Sequence, residues 1–356
     1  MRTLADLLKS KNSIGFLRLV SAWLVVVGHS IPYGGFGEDP LIILTNNQIA
    51  LGRFPVDLFF CLSGFLIVAS YDRLDNLVRF LWHRFLRIYP AFWVCLILTG
   101  IGVPLLIGIN FDWHYIYSNS LLLLIRDTNV GDLGHNANIN SALWTLPWEL
   151  KAYLIVAAVG VFRLLNKKIV WVILFLVSYF FLIREIAISP ETLATNSAVT
   201  SGFRLLTFFF CGSTFYIFRD KIPITHLLGI GSLIAILLFL FLGVQFYHHS
   251  AGFFYMLCPI PFTYFVFYLS SVVPFRKINT KTDISYGVYI YGTLILNLLC
   301  YYGLNENYPL FLSLIVAITT AVSLLSWFLI EKPSMSHKHA TFINHFDFKF
   351  LGGKKA

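Results

Sequence analysis

Ten long, nearly uncharged apolar runs dominate this chain and leave it little choice of solvent. They cover roughly 14–31, 54–70, 88–109, 143–163, 169–184, 203–218, 227–246, 252–273, 284–303 and 309–330 of the 356 residues. A helix needs about 20 mostly apolar residues to cross the hydrocarbon of a bilayer, with roughly 17–25 tolerated. In lipid the backbone must satisfy its own hydrogen bonds, so such runs become helices. Charged residues make up 12% of the chain, about half the share of a soluble domain. A water-facing surface cannot be built from that. The fold class expected is all-α, a polytopic integral membrane protein with about ten transmembrane helices. The stretch 115–125 is apolar but too short to span, which suits an interfacial or re-entrant segment.

Loop charges give an independent check. With the N-terminus placed in the cytoplasm, alternation puts 20 of the 26 Lys and Arg on the inner side or at inner helix ends. Four, Arg53, Arg126, Arg184 and Arg204, fall outside, and Arg18 and Lys151 fall within spans. That bias is the positive-inside pattern. It predicts ten spans with both termini cytoplasmic, in the inner (cytoplasmic) membrane. It also accounts for the net charge of +9 without a nucleic-acid partner. No cleavable signal peptide is expected, because the first apolar run holds Arg18 and no small-residue cleavage site follows it. Cys61, Cys95, Cys211, Cys258 and Cys300 all sit in apolar runs without a CxxC pair, so neither a metal site nor a disulfide framework is expected. Residues 1–333 read as one transmembrane unit and 334–356 as a short polar cytoplasmic tail. No stretch is long enough for a separate soluble catalytic domain.

An ionisable group inside a span is costly and marks a functional hypothesis. Arg18 and His29 share the first run. Eleven steps of about 100° bring His29 to within about 20° of Arg18, some 16 Å further along the axis. Each has a plain alternative: Arg18 can snorkel to the inner headgroups, and His29 can be an interfacial histidine bonded to a backbone carbonyl. Arg84 and Arg87, three apart, share a helix face. They are either topology anchors or a bidentate phosphate clamp. Glu149 and Lys151 open the fourth run, and Asp57 opens the second. A carboxylate at the outer end of a span can orient His29 or bind a sugar hydroxyl. It can equally be a helix N-terminal acid stabilised by the dipole.

Six segments, in order, resemble the membrane-bound acyltransferase-3 family, whose members O-acylate cell-surface and exported glycans. They are the Arg18-to-His29 spacing; Val56-Asp57-Leu58-Phe59-Phe60 with Leu62-Ser63-Gly64-Phe65-Leu66-Ile67; Arg84-Phe85-Leu86-Arg87-Ile88-Tyr89-Pro90; Leu143-Trp144-Thr145-Leu146-Pro147-Trp148-Glu149; Ile284-Ser285-Tyr286-Gly287-Val288-Tyr289; and Glu331-Lys332-Pro333. The similarity covers nearly the whole chain. One position departs from it: Gly292 stands where the family usually has a histidine shortly after the second tyrosine. The SGNH domain fused to some relatives is also missing from the sequence.

The resemblance implies an acyl-CoA donor, acetyl-CoA being the family's commonest choice, with no metal. It assigns Arg84 and Arg87 to the phosphates and Arg18 to the donor passage. His29 becomes general base or acyl carrier, with Glu149 and then Asp57 as its carboxylate. Trp144, Tyr286 and Tyr289 would bind substrate. The expected partners are membrane lipid and a glycan or lipid-linked glycan acceptor. A secondary transporter using Arg18, His29, Glu149 and Lys151 as an ion or substrate pathway is the rival, although no inverted repeat or paired broken helices are visible. A non-catalytic scaffold would need no ionisable seam.

Overall fold

The computed structural model describes residues 2–9, 12–123, 139–188, 198–246 and 252–339. Residues 340–356 of the expected tail, and Arg126, lie outside them. The long helices are α1 (Ile14–Tyr33), α2 (Phe54–Leu74), α3 (Leu77–Ile97), α4 (Leu146–Val161), α5 (Lys168–Ile188), α6 (Ala198–Ile217), α7 (His226–Phe246), α8 (Pro259–Val272), α9 (Ser285–Tyr301) and α10 (Tyr308–Ser326). Among the described residues there is no β-strand, only an isolated bridge between Thr3 and Pro223. The ten predicted runs are largely helical, the one at 252–273 being broken at Cys258 into Gly252–Leu257 and Pro259–Val272. Seven helical stretches are long and apolar enough to cross a membrane: α1, α2, α3 extended to Ile107, α4 with its lead-in from Ser141, α5, α7, and α10 extended to Ser336. The protein is therefore an all-α polytopic membrane protein.

Local chemistry sets the connections. Pro55 occupies the first turn of α2, where its missing N–H costs nothing. The helix ends on Asp75 with φ +44°. Asn76 then caps α3, its side chain accepting from Arg79 N at 2.8 Å. Two residues thus turn the chain back, and α2 and α3 form an antiparallel pair. The sequence places the third span from residue 88, but α3 begins eleven residues earlier. Its Arg79, Arg84 and Arg87 lower the local hydropathy without interrupting the helix. Pro90 is accommodated, and a π-helical turn at Leu98–Gly102 carries the helix on to Ile107. At 1.5 Å per residue this 31-residue stretch is about 46 Å long, against a hydrocarbon core of about 30 Å. The arginines therefore sit near the end of the stretch. The apolar segment after it forms a short helix, Trp113–Asn119, held to α3 by bonds from Tyr89 Oη to Leu121 O and Trp93 Nε1 to Ser120 O, each 3.0 Å.

Packing sorts the helices by depth. α9 is buried without a break from Ser285 to Asn297 and packs between α1 and α10. α7 is apolar all round, with only Gly229 and Gly243 buried, as a lipid-facing helix should be. α2 and α6 touch backbone to backbone. A Cβ on Gly64 would stand 1.8 Å from Phe209 O, and one on Gly212 2.0 Å from Cys61 O. Small residues at helix contacts in lipid permit this approach. Beyond α10 a π-helical turn (Trp327–Glu331) and a short helix (Lys332–Ser336) lead to a 3-10 turn at His337–His339. This segment folds back onto the start of α3.

Candidate active site

A cavity of about 130 Å³ opens among α1, α2, α3, α4 and α9. Six residues named from the sequence line it: Arg18, Arg84, Arg87, Glu149, Tyr286 and Tyr289. They come from four helices, so the fold assembles what the sequence scatters. His29, Asp57 and Trp144 are not in its wall.

At one end of the cavity stands a charge network that the sequence reading did not contain. Asp283, in the loop before α9, accepts from Arg18 Nη1 at 2.9 Å and from Arg87 Nη2 at 2.6 Å through Oδ2. Its Oδ1 accepts from Asn279 Nδ2 at 2.8 Å and Ser285 Oγ at 2.5 Å. Arg87 also pairs with buried Glu331 at 3.5 Å. The available signal was an acid two residues ahead of the Ser285-Tyr286-Gly287 string, in a loop otherwise rich in Lys and Arg. Burial alone would raise the Asp283 carboxyl, but Arg18 and Arg87, with Ser285 and Asn279, overcome it and hold the group well below the usual carboxylate range.

The sign of the resulting pH dependence follows. A folded-state pKa below the unfolded value of about 3.9 adds stability that is complete above that value and lost as pH falls. Asp283→Asn should melt below the parent protein at neutral pH, by about 3 kcal/mol. The gap should narrow as pH drops through about 4. Thermal melts in detergent across pH 3–8 measure this, and a gap independent of pH would contradict it.

Arg84 and Arg87 share a face, as their spacing predicts, but not an electrostatic state. Arg87 is neutralised by two carboxylates. Arg84 donates from Nη2 to Ser70 Oγ at 3.2 Å and lies 5.6 and 5.8 Å from the Phe80 and Tyr153 ring centroids. Its buried Nε has no partner, and among the described residues no carboxylate pairs with it. Arg84 is the guanidinium with capacity for an anion. Further along the wall, Tyr153 Oη donates to Glu149 Oε1, and Tyr289 Oη and Thr145 Oγ1 are 2.6 Å apart.

His29 stands on α1 about 16 Å beyond Arg18. Its Nδ1 is 2.7 Å from Val25 O. A carbonyl only accepts, so Nδ1 carries the proton and Nε2 of the neutral ring is free to take one. The ring meets Tyr33 edge-on at 5.4 Å and abuts Gly52, where a Cβ would stand 2.8 Å from His29 Cε1. Among the described residues no hydrogen bond joins His29 to Glu149 or Asp57. The charged groups acting on it are Asp39 and Arg53. Asp39 is buried. Its Oδ1 accepts from Leu41 N at 2.8 Å, and its Oδ2 from Leu51 N at 2.6 Å and Gly52 N at 3.3 Å. It thus fixes the backbone against which the imidazole rests. Sequence reasoning passed it over because Asp39 before Pro40 reads as a simple helix cap, which it also is.

Asp57 is brought to Arg204. The two are 3.3 Å apart, each side chain 1% exposed, and Arg204 Nη1 also donates to Tyr255 Oη at 3.1 Å. Arg204, counted from sequence among the outer topology charges, is thus a fully buried ion-pair partner. Trp144 is half-buried against the core. Gly292, the departure from the family pattern, faces Val26 on α1: a Cβ there would lie 2.3 Å from Val26 Cγ2. The approach of α9 to α1 leaves no room for an imidazole. Among the described residues no cluster of His, Cys, Asp and Glu could hold a metal.

Comparison with known proteins adds to this geometry. The family model Acyl_transf_3, described as "Acyltransferase domain", matches residues 11–328. The chain is 28% identical over 333 residues to an "O-acetyl transferase" of Shigella phage Sf6, covering 90% of this chain and 95% of that one. It is 24% identical over 360 residues to "Nodulation protein 10" of Rhizobium leguminosarum bv. viciae, covering 91% and 93%. No solved structure matches it.

Proposed function

Because the chain belongs to the acyltransferase-3 family, we propose that it carries an acyl group, acetyl foremost, from a cytoplasmic acyl-CoA to a hydroxyl of a bacterial surface or exported polysaccharide. The observation that carries this reading is a cavity whose wall holds Arg18, Arg84 and Glu149 and is built in part by the helix that carries His29 beyond it. Arg84, its buried Nε without a partner and no carboxylate ion-paired to it among the described residues, stands in the cavity wall. The imidazole of His29, its Nδ1 turned to Val25 O, stands further along the helix that also brings Arg18 to that wall. The O-acetyl transferase relative supports the acyl choice. In this reading the protein spans the inner membrane ten times with both termini in the cytoplasm.

The donor's phosphates sit at Arg84, and its pantetheine arm runs up the cavity past Arg18 and Glu149. The acceptor hydroxyl meets the thioester carbonyl beside His29. His29 Nε2 takes the hydroxyl proton as the C–O bond forms; the C–S bond breaks, and the thiolate takes the proton back from the imidazolium. Positioning falls to Asp39 through Gly52, to Glu149 with Tyr153 on the donor side, and to Asp57 through Arg204. Trp144, Tyr286 and Tyr289 line the substrates. Transfer through an acyl-imidazole is the variant of this route, and ping-pong kinetics would select it.

Purified protein in liposomes, given acetyl-labelled CoA and the glycan fraction of its host, tests the reading. Alkali-labile label on glycan is expected. Coupled solute uptake with no transfer of label would instead identify a transporter. The two arginines should separate in the same assay. Arg84→Gln is expected to raise the donor KM about tenfold or more, one charge-assisted contact being lost, with accumulation unchanged. Arg87→Gln should lower stability, because Asp283 and Glu331 lose their shared cation. Equal donor affinity for Arg84→Gln and the parent by calorimetry would return Arg84 to a topology anchor.

A further inference from the structure

The cavity stops short of His29. Two contacts fix how α1 lies along α9. Arg18 Nη1 meets Asp283 Oδ2 at 2.9 Å, and Val26 Cγ2 stands where it would lie 2.3 Å from a Cβ on Gly292. The two helices therefore run side by side in the same direction. Tyr289, the outermost α9 residue of the cavity wall, lies one turn before Gly292, and His29 lies one turn beyond Val26. At 1.5 Å per residue, those two turns put the imidazole about 9 Å past the level of the phenol. On α2 the wall ends at Val56, four residues after the Gly52 on which His29 rests.

Three side chains from three elements close that outer end. Tyr289 Oη and Thr145 Oγ1 are 2.6 Å apart, and the Phe59 ring meets the Tyr289 ring edge-on at 5.8 Å. One phenol thus ties α9 both to α2 and to the segment leading into α4. The surroundings hold it stiffly. Tyr289 and Thr145 are buried. Asn140, in the same lead-in segment, donates to Ile290 O at 2.8 Å and accepts from Thr293 Oγ1 at 2.7 Å. Toward α1, the contact at Gly292 leaves no space between the helices. A wall packed in this way admits extra volume only at a cost.

In the proposed reaction the acyl group is the leading end of the donor. The phosphates stay at Arg84, and the thioester is the far end of the arm. The acyl group must then pass Phe59 and Tyr289 to reach His29, and its length is read where the wall is tightest. We propose that Phe59 and Tyr289, the phenol held by Thr145, form an acyl-length filter that passes acetyl and rejects butyryl and longer chains. This rests on the acyl-CoA reading above, and it makes the two rings specificity residues that take no part in bond making.

Competition between labelled acetyl-CoA and butyryl-CoA in the liposome assay, with the full-length protein, tests the filter. The ratio of the two products does not depend on how much of a variant folds. The parent should favour acetyl by about 10²-fold or more, at roughly tenfold or more for each methylene refused. Phe59→Ala should cut that preference by about tenfold or more by admitting butyryl. Tyr289→Phe, which keeps the ring but frees it from Thr145, should cut it by less. Leu66→Ala, in the same wall about 10 Å further in along α2, should leave the ratio as in the parent. A parent that transfers butyryl as readily as acetyl would overturn the filter. So would a parent-like ratio in Phe59→Ala, or an equal shift in Leu66→Ala. If the parent transfers neither acyl group, the acyl-CoA reading itself fails, and the filter falls with it.

Discussion

Replacing His29 with alanine should lower acyl transfer to glycan on the order of 10³-fold while the protein inserts and accumulates normally. Positioned general bases contribute roughly 10²–10⁴ in rate, and a sugar hydroxyl is too poor a nucleophile at neutral pH to act without one. The fold should tolerate the change. His29 is only partly buried, and among the described residues its one hydrogen bond is with a carbonyl of its own helix. His29→Gln keeps a donor for Val25 O but supplies no base, so it should be as inactive as the alanine variant. Label incorporation measured beside a thermal melt separates chemistry from folding. Normal acetylation by either variant would remove His29 from the mechanism.

The second large effect lies in the buried pair. Arg204→Met should destabilise the protein by about 3–5 kcal/mol, because it strands a carboxylate in a low-dielectric interior. Asp57 has Oδ1 already without a protein partner, so loss of Arg204 would remove its ion-pair partner. Asp57→Asn combined with Arg204→Met should recover most of that loss, since replacing both members of a buried pair is often near neutral. The double variant also decides what Asp57 does. If its acyl transfer stays within about tenfold of the parent, small beside the 10²–10⁴ expected of a general base, Asp57 serves through Arg204 as scaffold. If stability returns and transfer does not, Asp57 acts on the substrate or on His29. Melting temperature and label incorporation on the same preparations give both readouts.

Much of this was legible in the chain because lipid simplifies the code. Seven helical stretches announce themselves by length and apolarity. Arg18, Arg84, Arg87, Glu149, Tyr286 and Tyr289 stood out because charged and phenolic groups are conspicuous in apolar runs, and they do converge on one cavity. What was not legible is pairing across the fold. Asp283 looks like an ordinary loop acid until α9 brings it within 3 Å of two arginines. Arg204 looks like a topology charge until α6 closes on α2 through Gly64 and Gly212. Asp39 looks like a cap because it is one. The early start of α3 was hidden because hydropathy reports contact with lipid, not helicity, and its first turns are basic. Gly292 departs from the family pattern for a steric reason visible only once α9 lies against Val26.

The sidedness of transfer bears most directly on the account. Membrane vesicles of both orientations, with orientation verified by protease access to the C-terminus, would be given labelled acetyl-CoA from outside. Label should pass to glycan only in vesicles whose Arg84-bearing end faces outward, and Arg84→Gln should weaken it there. Equal labelling in both orientations, or labelling only in the reverse one, would mean that the donor does not enter beside Arg84, contradicting the proposed path from that guanidinium to His29.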